Sequence, residues 1–227
     1  MNALIIPALN EAPVIGRTLN ALPPGLFGCV IVADNGSTDA TAEVARRHGA
    51  TLVVRTAQPG YGLACLTAIA ALPPEVEIVV FLQADLSEDP REAESLILPI
   101  LENRADLVLG SRVLGHPDPG ALLPHQRFGN TVATALIRWL WGFRYTDLGP
   151  FRAIRRTSLD ALGMRDRAFG WTVEMQVRAL QLRLRILEIP VAYKVRAAGV
   201  NKISGNLKAS LKAGWIIVST ILKLRLQ

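Results

Sequence analysis

Cys29-Val30-Ile31-Val32-Ala33-Asp34-Asn35-Gly36-Ser37-Thr38-Asp39, running straight into Ala40–His48, holds a strand, a turn and a helix in one stretch. Cys29–Ala33 is apolar without interruption and largely β-branched, the composition of a strand covered on both faces. Gly36 marks the turn, and Thr38 or Asp39 is placed to cap the helix that follows. A two-faced strand leading directly into a helix implies right-handed βαβ units and a parallel sheet. The same grammar repeats on either side. Strands are expected at Ala3–Pro7, Thr51–Arg55, Glu77–Leu82 and Asp106–Gly110, with helices at Val14–Leu22, Leu63–Leu72 and Pro90–Asn103. The predicted class is therefore α/β, a Rossmann-like, mostly parallel sheet flanked by helices. Beyond Arg112 the pattern loosens. Pro117, Pro119 and Pro124 with Gly115 and Gly120 read as a mobile loop. Helices follow at Arg127–Trp141, near Ser158–Leu162 and at Trp171–Leu182. A last strand is expected over Arg185–Tyr193, where Pro190 calls for an edge or a bulge.

At 227 residues, 50% hydrophobic and 19% charged, the chain has material for a single well-packed domain. The net charge is +6 and the sequence pI about 9.8. Such a balance suits nucleic acid, an anionic membrane surface or phosphorylated small molecules. The basic residues are scattered, with neither zinc-finger spacing nor an RNA-recognition aromatic motif, so nucleic acid is not an expected partner. Cys29 and Cys65 sit in apolar stretches and read as buried thiols. His48, His116 and His125 lack metal-ligand spacing. No basic leader precedes Ala3-Leu4-Ile5-Ile6, so no signal peptide is expected. The longest uncharged apolar run near the end, Ala213 to Leu222, is about half of the roughly 20 residues that span a bilayer. The expectation is a cytoplasmic protein, peripheral at most to the inner face of the membrane, with room for a homo-oligomer. Gly205–Leu226 forms an amphipathic C-terminal helix on a helical wheel, with Lys208, Lys212 and Lys223 within about 60° of one another. Leu207, Leu211, Trp215, Val218 and Leu222 fill the opposing face. That face either packs on the core or lies in a lipid interface.

Parallel sheets bind ligands at the carboxyl ends of their strands. Five polar or glycine-rich clusters stand there: Pro7 to Glu11, Asp34 to Asp39, Pro59 to Gly62, Gln83-Ala84-Asp85 and Gly110-Ser111-Arg112. Asp34 can accept hydrogen bonds from a base imide or a ribose hydroxyl. Asp85, where a buried strand runs into an acidic loop, is placed to hold Mg²⁺ or Mn²⁺ against a pyrophosphate. The plainer reading of that loop is a helix start, with Ser87 or Asp89 capping and Pro90 in the first turn. Arg112 and Arg127 flank the Pro/Gly-rich loop and can converge on one anion. Gly199-Val200-Asn201-Lys202 offers a basic loop able to close over a diphosphate.

In this order, and together with Asp147-Leu148-Gly149-Pro150-Phe151-Arg152 and Glu188-Ile189-Pro190-Val191, the clusters resemble family 2 glycosyltransferases of the GT-A fold. The nearest branch is similar to the polyprenyl-phosphate and dolichyl-phosphate sugar synthases, and the resemblance runs from Pro7 to about Lys212. It implies one glycosyltransferase domain over 1–227. Residues 1–112 would be its nucleotide-sugar-binding half, 113–204 its acceptor half and 205–227 its terminal amphipathic helix. It implies that Pro7, Asn10 and Glu11 cradle the nucleoside, that Asp34 contacts the base, and that Gln83, Ala84 and Asp85 stand at the D-x-D motif with Asp85 as metal ligand. Arg112, Arg127 and Thr131 match positions receiving a lipid phosphate, and Lys202 one covering the donor diphosphate. The first Asp of D-x-D is Gln83 here, which implies weakened metal affinity in a working enzyme. The implied reaction is a single inverting displacement from a UDP- or GDP-hexose to a phosphate acceptor, a polyprenyl phosphate at the membrane surface. A sugar or polysaccharide hydroxyl as acceptor would need a base, for which Asp147 and Glu174 are the candidates. A non-catalytic nucleotide-sugar-binding module is the alternative outside catalysis.

Overall fold

The structure, a computed structural model, describes residues 1–56, 58–198 and 207–226, with side chains in the last segment from Gly214 onward. Lys202 and its loop lie outside the described residues. Strands are β1 (Asn2–Ala8), β2 (Cys29–Asp34), β3 (Leu52–Arg55), β4 (Ile78–Phe81), β5 (Leu107–Ser111), β6 (Arg152–Arg155) and β7 (Ile186–Pro190). Helices are α1 (Ile15–Asn20), α2 (Thr41–Arg47), α3 (Tyr61–Ala70), α4 (Ala93–Leu101), α5 (Pro124–Trp141), α6 (Arg156–Leu162), α7 (Trp171–Gln181) and α8 (Leu207–Arg225). One sheet runs in the order β3-β2-β1-β4-β6-β5-β7. All neighbours pair in parallel except β6, which is antiparallel to both β4 and β5. The predicted α/β class with a mostly parallel sheet and a terminal helix is what the chain adopts.

Each central strand feeds two cores. Along β2, Cys29, Ile31 and Ala33 face α3 and α5–α8, while Val30 and Val32 face α1, α2 and α4. Burial of each such branched side chain stabilises the fold by about 1.5–3 kcal/mol. Both cysteines are buried and free, and the three histidines are exposed.

The chain reverses its winding beside β1. β2 and β3 lie on one side of it and β4 on the other, which opens a crevice at the carboxyl ends of β1 and β4. Pairing between them stops at Ile5 with Phe81, and the Ile5 carbonyl accepts from the Leu82 amide at 3.1 Å. Two residues on, Pro7 faces the same side beyond the end of β4, so its missing N–H removes no ladder bond.

α8 turns only part of its apolar surface inward. It enters the core through Ile221 and Leu224, while Trp215 is 73% exposed and Leu222 46%. No helix among the described residues is long and apolar enough to cross a membrane.

Candidate active site

The first two strand-end clusters fold into one unit. Asn10, at φ 50, donates its backbone N–H to Ser37 Oγ at 2.9 Å, and its side-chain oxygen accepts from the Thr38 amide at 2.8 Å. The Glu11 amide donates to Thr41 Oγ1 at 2.8 Å. Asp39 accepts from the Thr41 amide at 3.0 Å and from its hydroxyl, so it is Asp39 that anchors the start of α2. Gly36, at φ 83, makes the turn that side-chain-bearing residues resist. Asp34 is buried, and its Oδ1 accepts from the Ser37 amide at 2.8 Å. Its Oδ2 takes no hydrogen bond and faces Arg55 Nε at 3.6 Å.

The third cluster has a packing role. Gly60 and Gly62 let the 166–168 backbone lie against the start of α3, where the Gly62 and Leu63 amides donate to the Ala168 and Arg167 carbonyls at 3.1 and 3.0 Å. A side chain at either glycine would collide with the carbonyl oxygen of Arg167 or Asp166.

Across the crevice, the Gln83–Ser87 loop is held from several sides. Thr18 Oγ1, on α1, donates to the Ala84 carbonyl at 2.7 Å. Leu86 takes a left-handed φ of 59, which turns Ser87 back onto Asp85. The Ser87 amide and hydroxyl donate to Asp85 Oδ1 at 3.0 and 2.6 Å. Asp85 Oδ2 faces Arg196 at 3.9 Å, and the same Arg196 nitrogen donates to both carboxylate oxygens of Glu11, at 2.9 and 3.0 Å. Arg196 thus spans the crevice from the β1 loop to the β4 loop. Asp89 accepts from the Arg91 amide at 3.1 Å, so the capping role falls to Asp89. No three His, Cys, Asp or Glu side chains converge among the described residues. A divalent ion here would have Asp85 as its carboxylate and draw its remaining ligands from a diphosphate and water, a common arrangement for Mg²⁺.

Glu88 is a site residue without a signal in the sequence. It is 1% exposed, its Oε2 accepts from the Gln83 amide at 3.0 Å, and its Oε1 is buried without a hydrogen bond. Burial lifts its carboxyl from the ordinary 4.5 to about 8 against the Gln83 hydrogen bond, with Asp85 adding to the rise. The folded protein therefore keeps a proton that the unfolded chain releases. The associated stability is complete below about pH 4.5 and is lost as pH rises through about 8. Glu88→Gln, neutral throughout, is expected to gain on the wild type in urea denaturation as pH rises across that window, by on the order of 5 kcal/mol. Parallel pH curves for the two proteins would show that Glu88 is ionised at no such cost.

Arg112 and Arg127 have different surroundings. Arg112 Nε and Nη2 donate to the two carboxylate oxygens of Asp147 at 2.7 and 2.8 Å, and the Arg112 amide donates to Oδ2 at 2.9 Å. Its guanidinium lies over the Tyr193 ring, 5.1 Å from the centroid. Burial alone would lower the Arg112 pKa, but the Asp147 carboxylate outweighs it and holds the group above its ordinary value. Asp147 is 1% exposed, so it is a buried ion-pair partner rather than a turn residue on the surface. Around it, Gln176 donates to the Asp147 carbonyl at 3.1 Å, and Asn130 accepts from the Leu148 amide at 2.9 Å. Glu188, in β7, accepts from the Thr146 and Asp147 amides at 2.9 and 3.1 Å.

Arg127 and Thr131 instead line a cavity of about 390 Å³ with Asn130, Thr134 and Thr146. Thr131 Oγ1 donates to the Arg127 carbonyl at 2.9 Å, one turn back along α5. Glu174 is not the exposed helix residue its sequence position implies. It is 3% exposed, accepts from the Arg165 and Asp166 amides and pairs with Arg178 at 2.8 Å, which commits it to the 165–166 loop.

The fold, with its sheet reversal beside β1, matches a known architecture over nearly the whole of this chain. Glucosyl-3-phosphoglycerate synthase from Mycobacterium tuberculosis, crystallised with Mn²⁺, UDP and glucosyl-3-phosphoglycerate, superimposes with a TM-score of 0.77 over 99% of this chain and 79% of its own, at 23% identity. An uncharacterised glycosyltransferase of the same organism is 37% identical over 95% of this chain and 97% of its own length. The undecaprenyl-phosphate mannosyltransferase of Micrococcus luteus is 29% identical over 89% of this chain and 87% of its own. Residues 3–163 match the family described as Glycosyl transferase family 2, a span that takes in β1 through α6 and every strand-end cluster of the crevice. On that match and on the near-full-length likeness to the mycobacterial glycosyltransferase, the chain belongs to glycosyl transferase family 2.

Proposed function

We propose that this glycosyltransferase moves a hexose from a UDP- or GDP-sugar to a polyprenyl phosphate, with residues 1–112 serving the donor and 113–204 the acceptor. The observation that carries the acceptor class is the cavity beside α5, where Arg127 offers a guanidinium to an anion and Thr131 lines the wall one turn on. The name of the Micrococcus relative supports the same class. On the donor side, Asp34 Oδ2 is an acceptor for a base imide. Glu11 and Asn10 reach the ribose, with Pro7 shaping the strand end and Lys202 assigned to the diphosphate.

Asp85 fits a Mg²⁺ or Mn²⁺ ion bound through the donor, because one carboxylate oxygen faces the crevice while Ser87 fixes the other. Bound there, the ion supplies positive charge where the departing nucleoside diphosphate gains negative charge. Arg196 stands beside the same diphosphate position and adds a second cation. An acceptor phosphate oxygen forms the new bond to the anomeric carbon as the bond to the diphosphate breaks, with inversion. The nucleophile is already an anion, so the protein's task is positioning rather than proton removal.

Arg127→Ala tests the acceptor assignment. Loss of a charge-assisted hydrogen bond is expected to weaken a short polyprenyl phosphate by about ten-fold or more, at roughly 1.5–3 kcal/mol. Nucleotide-sugar binding should stay as it was. Equal loss of both would move Arg127 to the donor side. Transfer to a sugar hydroxyl or to phosphoglyceric acid, with none to the lipid phosphate, would reject the acceptor class.

A further inference from the structure

α5 exposes a continuous apolar file that nothing in the fold covers among the described residues. Phe128 is 72% exposed, Val132 40% and Trp139 79%, with exposed Ala135 between them. At 100° and 1.5 Å per residue they fall within about 60° of arc and extend about 16 Å along the helix. Singly exposed apolar side chains are ordinary on a soluble surface, but a file of this length with a Phe and a Trp marks a contact face. On α8, which packs beside α5, Trp215 and Leu222, with Leu226 just past its end, form a second exposed arc at 73%, 46% and 89%.

Charge selects the partner. Neither α5 nor α8 contains an acidic residue, and every charged residue beyond Glu188 is Lys or Arg. Arg127 and Arg138 border the file along one side, about 20° apart on the wheel. A second copy docking on the same face would set these cations against each other. An anionic phospholipid surface attracts them, and Trp and Phe are the residues that settle at the boundary between headgroups and acyl chains. We propose that α5, together with the exposed arc of α8, is the face by which the protein docks on an anionic bilayer, with Phe128 and Trp139 entering the interface. This deepens the acceptor reading and rests on it in one respect: Arg127 borders both the file and the cavity, so docking on α5 brings the cavity mouth to the level of the lipid phosphates.

The test is co-flotation with vesicles, either phosphatidylcholine alone or three parts phosphatidylcholine to one part phosphatidylglycerol. The protein is expected to float with the anionic vesicles and to be released by salt. Phe128→Ser with Trp139→Ser, both at exposed positions, should lower the partition by about ten-fold or more with an unchanged circular dichroism spectrum. Wild type that stays at the bottom of the gradient, or a double variant that floats equally, overturns the proposal. So does a wild-type dimer in light scattering that the double substitution splits without either form floating, since a second copy would then own the face. A detergent assay with a short-chain polyprenyl phosphate separates this from the acceptor reading. There the double variant should match the wild type. Flotation of a wild type that transfers nothing to polyprenyl phosphate upholds the docking face and removes the acceptor.

Discussion

Asp85→Asn is expected to lower metal-dependent turnover by about two to three orders of magnitude, the scale on which loss of one group stabilising leaving-group charge is felt. The substitution isolates charge from shape. Asn keeps a carbonyl oxygen that accepts the Ser87 amide and hydroxyl, so the turn around Leu86 is retained. What disappears is the carboxylate facing the crevice. Gln83 is neutral where the resemblance places the first Asp of D-x-D, so no neighbouring carboxylate in that motif substitutes for it. Calorimetry with UDP or GDP, with and without Mn²⁺, should show metal-dependent binding in the wild type and none in the variant. Undiminished metal-dependent binding would remove Asp85 as ligand.

Asp147→Ala is expected to have the largest effect on stability, about 3–5 kcal/mol. It strands the Arg112 guanidinium, 13% exposed in the pair, without its bidentate partner. It also takes an acceptor from the Arg112 and Leu148 amides. For a chain of this size the melting temperature should fall by roughly 10 °C. Arg127→Ala should leave it nearly unchanged, because Arg127 is exposed. Urea denaturation of the two variants side by side distinguishes a buried strut from a ligand-facing arginine. A stable Asp147→Ala variant would mean that the pair contributes little and that Arg112 is free to serve a ligand.

The parallel strands were legible because their physics is local. A strand buried on both faces must be apolar along its buried length; β4 is apolar throughout, and β1, β2 and β5 are so apart from Asn2, Asp34 and Ser111 at their ends. β6 was not legible, since Arg-Ala-Ile-Arg has no buried pattern on its face. Its Arg152 is fully buried and pushed below its ordinary pKa by that burial; its two Nη atoms donate to the carbonyls of Thr172 and Gly149, while its buried Nε takes no partner. Thr172 lies on α7, 20 residues on, and cannot be seen from the strand itself. The same holds for the site. Asp34, Glu11 and Asp85 announce themselves at strand ends. Glu188 and Arg196 act through partners far along the chain, Glu188 meeting Thr146 across 42 residues and Arg196 meeting Glu11 across 185. Asp147 was visible as a residue but not as a partner of Arg112, because 35 residues of loop and helix separate them.

The place of β6 has a consequence for how the chain is made. β5 leaves the ribosome well before β6, yet its strand partners are β6 and β7 alone. Until residues 152–155 emerge, β5 has no neighbour, and β4 presents the edge that β6 will occupy. A translation product cut after Arg112 would keep β1 to β4 paired and leave β5 unpaired, with bare strand edges of the kind that recruit other chains. The C-terminal segment is therefore needed to finish the N-terminal half, and fragments split at that point should be recovered as aggregate unless the two pieces are made together.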